Sequence, residues 1–185
     1  MIRRILLACF VLASLATNAQ EESEQKGGLD PSRLFFGGNF GATFGNFTFI
    51  NVSPQVGYRV SPIFSAGTGI NFIYQGNKVD YGSYVEKSNY AYVGLNVFGR
   101  VNPFKFIILN AQPELNYVWG NIKAEPGNFE VKQPGKFVPS VLLGGGAMIP
   151  AGKKSSLVMM LQYDIIQDKL SPYGNSAFFT FGFNF

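Results

Sequence analysis

The chain ends Phe178-Phe179-Thr180-Phe181-Gly182-Phe183-Asn184-Phe185. Aromatic residues stand at 179, 181, 183 and 185, with Thr180, Gly182 and Asn184 between them. Successive side chains of a strand point to opposite faces, so a period of two predicts a strand. One face is all Phe and the other is small or polar. A soluble protein buries such a Phe face in a core, whereas an outer-membrane barrel turns it toward lipid. The rest of the chain decides between them.

Upstream of this ending the same alternation recurs in about seven more segments. Leu34–Phe44 sets Leu34, Phe36, Phe40, Ala42 and Phe44 against Asn39, Gly41 and Thr43. Thr48–Val60 sets Ile50, Val52, Val56, Tyr58 and Val60 against Asn51, Ser53, Gln55 and Arg59. Ile63–Gln75 contrasts Phe64, Ile70, Phe72 and Tyr74 with Ser65, Asn71 and Gln75. In Asn89–Val101 the contrast is Ala91, Val93, Leu95 and Val97 with Asn96 and Arg100. Phe106–Trp119 is the clearest, with Ile107, Leu109, Ala111, Leu115, Tyr117 and Trp119 facing away from Asn110, Gln112, Glu114 and Asn116. Phe137–Ile149 is Gly-rich and leaves its faces ambiguous. Ser155–Ile165 sets Leu157, Met159, Leu161 and Tyr163 against Gln162 and Asp164. Alternating segments of this length, separated by turn residues, predict an all-β fold: an antiparallel up-and-down transmembrane β-barrel of about eight strands.

The connections alternate in length. Ser61-Pro62, Asn102-Pro103 and Pro150-Ala151-Gly152-Lys153 read as short turns. Gly76–Ser88, Gly120–Lys136 and Ile166–Asn175 read as long polar loops, and only the first hairpin, near Gly45-Asn46, is short where a long one is due. Outer-membrane barrels have short periplasmic turns and longer outer loops. With the N-terminus in the periplasm, Tyr74, Tyr117, Trp119 and Tyr163 fall at outer strand ends, and Tyr58, Phe64 and Phe185 at inner ends. These two levels are the expected aromatic girdles.

The composition agrees, with 22 Gly, 19 Phe and 9 Tyr but only 14% charged residues. No stretch after the front of the chain approaches the length of an apolar transmembrane helix. The front itself reads as a signal peptide over residues 1–19. Arg3 and Arg4 precede the apolar run Ile5 to Leu15, and Thr17-Asn18-Ala19 places cleavage between Ala19 and Gln20. A lipoprotein signal, resting on Leu6-Leu7-Ala8-Cys9, is the competing reading, but the apolar run continues well past Cys9. Residues 20–32 read as a flexible periplasmic leader and 33–185 as the barrel.

Cys9 is the only cysteine, so the mature chain has no disulfide and no thiolate metal site. The net charge of +4 includes Arg3 and Arg4, and the remaining basic residues are scattered, so no nucleic-acid partner is expected. There is no histidine, the commonest general base and metal ligand. Outer-membrane lipases, acyltransferases, deacylases and proteases resemble one another in using one. Asp80, Glu86, Glu125, Glu130 and Asp168 read as solvated loop charges. Gly144-Gly145-Gly146 with Gly152-Lys153-Lys154-Ser155 fails the spacing of a phosphate loop. No enzyme activity and no cofactor are expected.

The polar strand faces are rich in Asn, Gln, Ser, Thr and Gly and poor in charge. Bulk water imposes no such avoidance, but a narrow barrel interior does, because each charge there needs a partner. Arg59, Arg100, Glu114 and Asp164 all fall on these faces and read as an interior charge network, or alternatively as a gate across a narrow polar conduit.

On these features the chain resembles the small PorT-like outer-membrane β-barrel proteins of Gram-negative bacteria. The matching residues are Asn18-Ala19-Gln20, Phe35-Phe36-Gly37-Gly38-Asn39-Phe40-Gly41, the Pro-bearing inner turns and the final Phe181-Gly182-Phe183-Asn184-Phe185. The resemblance covers the mature chain and concerns architecture rather than activity. It implies that Phe185, with Phe183, Phe181 and Phe179 behind it, is read by the barrel-assembly machinery. Three functions follow as expectations. The first is a non-enzymatic outer-membrane scaffold acting through its outer loops or within an envelope complex with a protein partner. The second is a narrow, porin-like channel or carrier. The third is a soluble periplasmic ligand-binding barrel.

Overall fold

The computed structural model describes residues 30–185 except 128, 153 and 154. The cleavage site at Ala19 and Gln20 and most of the leader lie outside the described residues. A 3-10 turn, Pro31–Arg33, enters eight antiparallel strands: β1 Leu34–Thr43, β2 Phe47–Arg59, β3 Phe64–Asp80, β4 Val85–Phe104, β5 Ile107–Glu125, β6 Phe129–Pro150, β7 Ser156–Asp164 and β8 Phe178–Asn184. Each pairs with the next, and the ring closes where Gly37–Phe40 of β1 meets Asn184–Phe181 of β8. Phe185 extends that seam: its N–H donates to the Phe36 carbonyl at 2.7 Å, and its carbonyl accepts from the Phe36 N–H at 3.3 Å.

The two faces are sorted as the alternation predicts, and the apolar one points outward. Phe36 is 63% exposed, Leu95 66% and Phe179 66%, while Asn71 and Asn116 inside are fully buried. This is the reverse of a soluble ligand-binding barrel, which carries its apolar face inside. In β6, Val138, Ser140, Leu142 and Met148 face inward and Phe137, Leu143 and Ile149 outward. The glycines between them explain why its sequence is ambiguous.

Gly144 and Gly146 sit inside the barrel wall against β7. A Cβ on Gly146 would strike the Met159 carbonyl oxygen and lie 2.6 Å from Met160 Cα. On Gly41 it would meet only a Phe49 ring carbon at 3.9 Å. Gly146→Ala is therefore expected to cost about 1–3 kcal/mol through forced backbone shifts. Gly41→Ala should be close to neutral. Urea unfolding of the two variants in detergent micelles measures the difference.

Two of the expected loops are strand. Most of Gly76–Ser88 and Gly120–Lys136 belongs to β3–β6, which continue as a paired sheet to tight turns at Tyr81–Tyr84 and Pro126-Gly127. Both faces of this extension meet water, so the apolar–polar contrast that marks a strand in sequence is lost while the pairing persists. Cross-strand contacts hold it. Lys87 Nζ bonds Glu125 Oε2 at 2.7 Å, and the Tyr81 and Tyr84 rings stack at 4.8 Å. The hydrogen bond and charge of Lys87 hold the Glu125 carboxyl below the usual range. Of β6, only Leu142–Pro150 pairs with β7, leaving the half toward the long-hairpin end as an edge. Pro134, Pro139, Lys132 and Lys136 stand along it, residue types that guard edges against stray pairing. At the opposite end, Asn102-Pro103 is not a turn but sits at an irregularity within β4, with the turn at Lys105-Phe106.

Candidate functional site

The interior is layered. At its centre lies a network of neutral amides with one cation at one end and one anion at the other. Arg100, on β4 near the short-turn end, donates from Nη2 to Gln55 Oε1 at 2.6 Å. Gln55 Nε2 donates to Gln112 Oε1 at 3.3 Å, and Gln112 Nε2 to Glu114 Oε1 at 2.7 Å. A second branch leaves the same Gln55 Nε2 for Asn96 Oδ1 at 3.4 Å. It continues from Asn96 to Asn71 at 2.7 Å, from Asn71 to Asn116 at 3.2 Å, and from Asn116 to Glu114 Oε2 at 3.1 Å. A guanidinium can only donate and a carboxylate can only accept. The two charges therefore orient every amide between them, and all donors point toward Glu114. Aligned hydrogen bonds of this kind polarise one another.

Above this layer the β7–β8 connection, 165–177, folds into the barrel mouth. Asp164 Oδ1 accepts from the Val141 and Ile166 N–H groups at 3.1 Å each, and Asp164 Oδ2 from Ser171 Oγ at 2.7 Å. Asp168 accepts from the Leu170 N–H at 2.9 Å, tightening the loop on itself. Tyr173 then reaches down and donates to Glu114 Oε2 at 2.8 Å, its ring stacked on Phe178 at 4.7 Å. An apolar cluster of Ile73, Tyr92, Val118, Val138, Leu142 and Tyr173 seals this end. A smaller one, Ile108, Val158 and Met160, lies on the other side of the amide layer.

The four charges expected to form one network do not. Among the described residues no ion pair joins them. Arg100 and Glu114 are linked only through amides, and Asp164 serves the loop. Arg59 is exposed at the short-turn mouth, with its guanidinium 5.4 Å from the centre of the Phe35 ring. Burial explains the difference: a bare ion pair needs its remaining polar atoms satisfied as well. Here ready-made amides supply the partners. Sequence reading missed Tyr173 and Ser171, although Leu170, Pro172 and Tyr173 form an apolar break in an otherwise polar loop. It also missed Gln55 and Gln112 as connectors. Among the described residues, no group of three potential ligands gathers to hold a metal.

Of the aromatic residues, Tyr74, Tyr117 and Trp119 face outward toward the long-hairpin end, with Tyr117 and Trp119 ring centres 5.9 Å apart. Tyr74 bonds Asn89 at 2.9 Å. Tyr163 and Tyr58 are half-buried, Tyr58 pairing across from Leu34 and Ala66 at the other end. Phe179, Phe181 and Phe183 also face outward, and Phe185 is exposed at the seam.

No family model matches the chain, and no curated protein matches it. A solved structure, a major outer membrane protein from Thermus thermophilus, is similar with a TM-score of 0.49 at 12% identity. The similarity covers 82% of this chain and 98% of that one.

Proposed function

We propose that the protein is a non-enzymatic outer-membrane β-barrel that acts as a closed scaffold. The observation that carries this reading is an apolar exterior wrapped around a filled polar centre. A barrel of eight strands has an interior just wide enough for side chains. Here amides, two apolar clusters and an inserted loop occupy it. Lipid then covers the outward Phe, Leu and Val side chains, the short turns lie in the periplasm and the β3–β6 extension projects outside. That extension is the surface offered to an envelope partner. In keeping with the PorT-like resemblance, Phe179, Phe181, Phe183 and Phe185 present the strand that the assembly machinery reads. The Phe185 seam bonds give the last of them a structural role as well.

Planar-bilayer recording separates this scaffold from a channel. The purified protein is expected to insert without conductance steps. A variant lacking 167–175 should also remain closed, because the amide layer lies beneath the loop. Stable ohmic steps from the unmodified protein would overturn the scaffold reading in favour of a conduit.

A further inference from the structure

The short-turn mouth opens into a cavity of about 890 Å³. Three cationic side chains line it, Arg59, Arg100 and Lys105, and no Asp or Glu side chain does among the described residues. The terminal residue, Phe185, is at its wall. Phe35, Phe64, Ile108 and Met148 supply an apolar surface beside the cations.

Arg100 is the decisive group. It is only 3% exposed, yet all its hydrogen-bond partners are neutral amides: Gln55 at 2.6 Å, Asn110 at 3.3 Å and Asn184 at 3.5 Å. The Phe98 ring covers one side of the guanidinium plane at 4.2 Å. A guanidinium carries five N–H donors, and these bonds engage three. The donors left over belong to a group that lines the cavity. Asn110, held through its oxygen by Arg100, keeps a buried Nδ2 donor with no partner among the described residues. Buried donors left unmade are costly, and a buried cation without an anion beside it more so. An incoming carboxylate or phosphate gives the Arg100 cation the anion it lacks, and guanidinium groups bind such oxyanions through two parallel hydrogen bonds.

We propose that this mouth is a binding site for a small organic anion, a carboxylate or phosphate on an apolar body. Its charged end meets Arg100, with Arg59 and Lys105 at the entrance, and its apolar part lies against Phe35, Phe64 and Met148. The site is separate from the scaffold reading, since it depends on the mouth and not on what the outer extension contacts.

The test is solution NMR of 15N-labelled protein purified from envelopes into zwitterionic micelles. The Arg100 Nε–H resonance is followed while hexanoate, hexyl phosphate or hexan-1-ol is added. The two anions should move it saturably and the alcohol should not. Arg100→Gln should abolish the saturable shifts at Ser65 and Asn102. Because that variant alters a buried network, the exposed pair Arg59→Gln and Lys105→Gln is measured as well, and should weaken hexanoate binding about tenfold. The proposal is overturned if neither anion gives a saturable shift, if hexan-1-ol gives the same one, or if the double variant keeps full affinity.

Discussion

Leu95→Lys is expected to destabilise the barrel by about 2–4 kcal/mol in phospholipid vesicles, the cost of a lysine at the bilayer midplane. Leu95 sits mid-strand in β4, points outward, is 66% exposed, and pairs across from Ile70 and Leu115. On a water-facing surface the same change has no such effect, since surface substitutions usually stay within about 0.5 kcal/mol. The exterior thus makes opposite predictions for the two solvents. Depth supplies the control. Phe64 begins β3 at the short-turn end, and Phe64→Lys should cost only about 0–1 kcal/mol, because the penalty falls toward the interface. Urea unfolding followed by the fluorescence of Trp119, the single tryptophan, measures both. Equal and negligible effects at the two positions would remove the bilayer from the outer face.

That result bears on the part of the molecule most legible in the sequence. In β2, β3, β5 and β7 the outward and inward residues can be read directly, because the exposed exterior is apolar and the buried lumen polar at alternate positions. Where that contrast weakens, so does legibility. Gly144-Gly145-Gly146 carry no side chains to reveal a face, and β6 could be assigned only from its register with Ile108 to Asn110. Glu86 and Lys87, or Lys123 and Glu130, look like loop residues because both sides of their strands meet water. They are strand because their neighbours pair.

The interior was half legible. Arg100, Glu114 and Asp164 were correctly placed on inward faces by period two alone. Their partners were not, since hydrogen-bonding distance inside a barrel is unrelated to distance along the chain. Tyr173 lies 59 residues from Glu114, and the apolar break around it in the loop does not name the partner it reaches. The apolar lumen residues Ile73, Tyr92, Val118 and Leu142 were also hidden, because they stand on faces whose other members are amides.

Glu114 is where those unseen contacts converge, and its replacement should have the other large effect. Three donors end on its carboxylate: Gln112 on Oε1, and Asn116 and Tyr173 on Oε2. Glu114→Ala leaves all three without an acceptor and leaves Arg100 as a buried cation with no anion at the far end of its amide chain. Breaking a buried charged arrangement from one side costs about 3–5 kcal/mol. Glu114→Gln keeps the shape but exchanges one acceptor oxygen for an NH2 group, which opposes an arriving donor. It should cost less, about 1–3 kcal/mol for an unsatisfied group. Tyr173→Phe removes one of the three donors, and its effect should shrink sharply in the Glu114→Ala background, since residues sharing a network are not additive. Heat-dependent gel mobility gives the midpoints, and urea unfolding in micelles gives the free energies. If Glu114→Ala unfolded at the urea concentration of the unmodified protein, the polar centre would be filling without bonding, and the amide chain from Arg100 would have no hold on the fold.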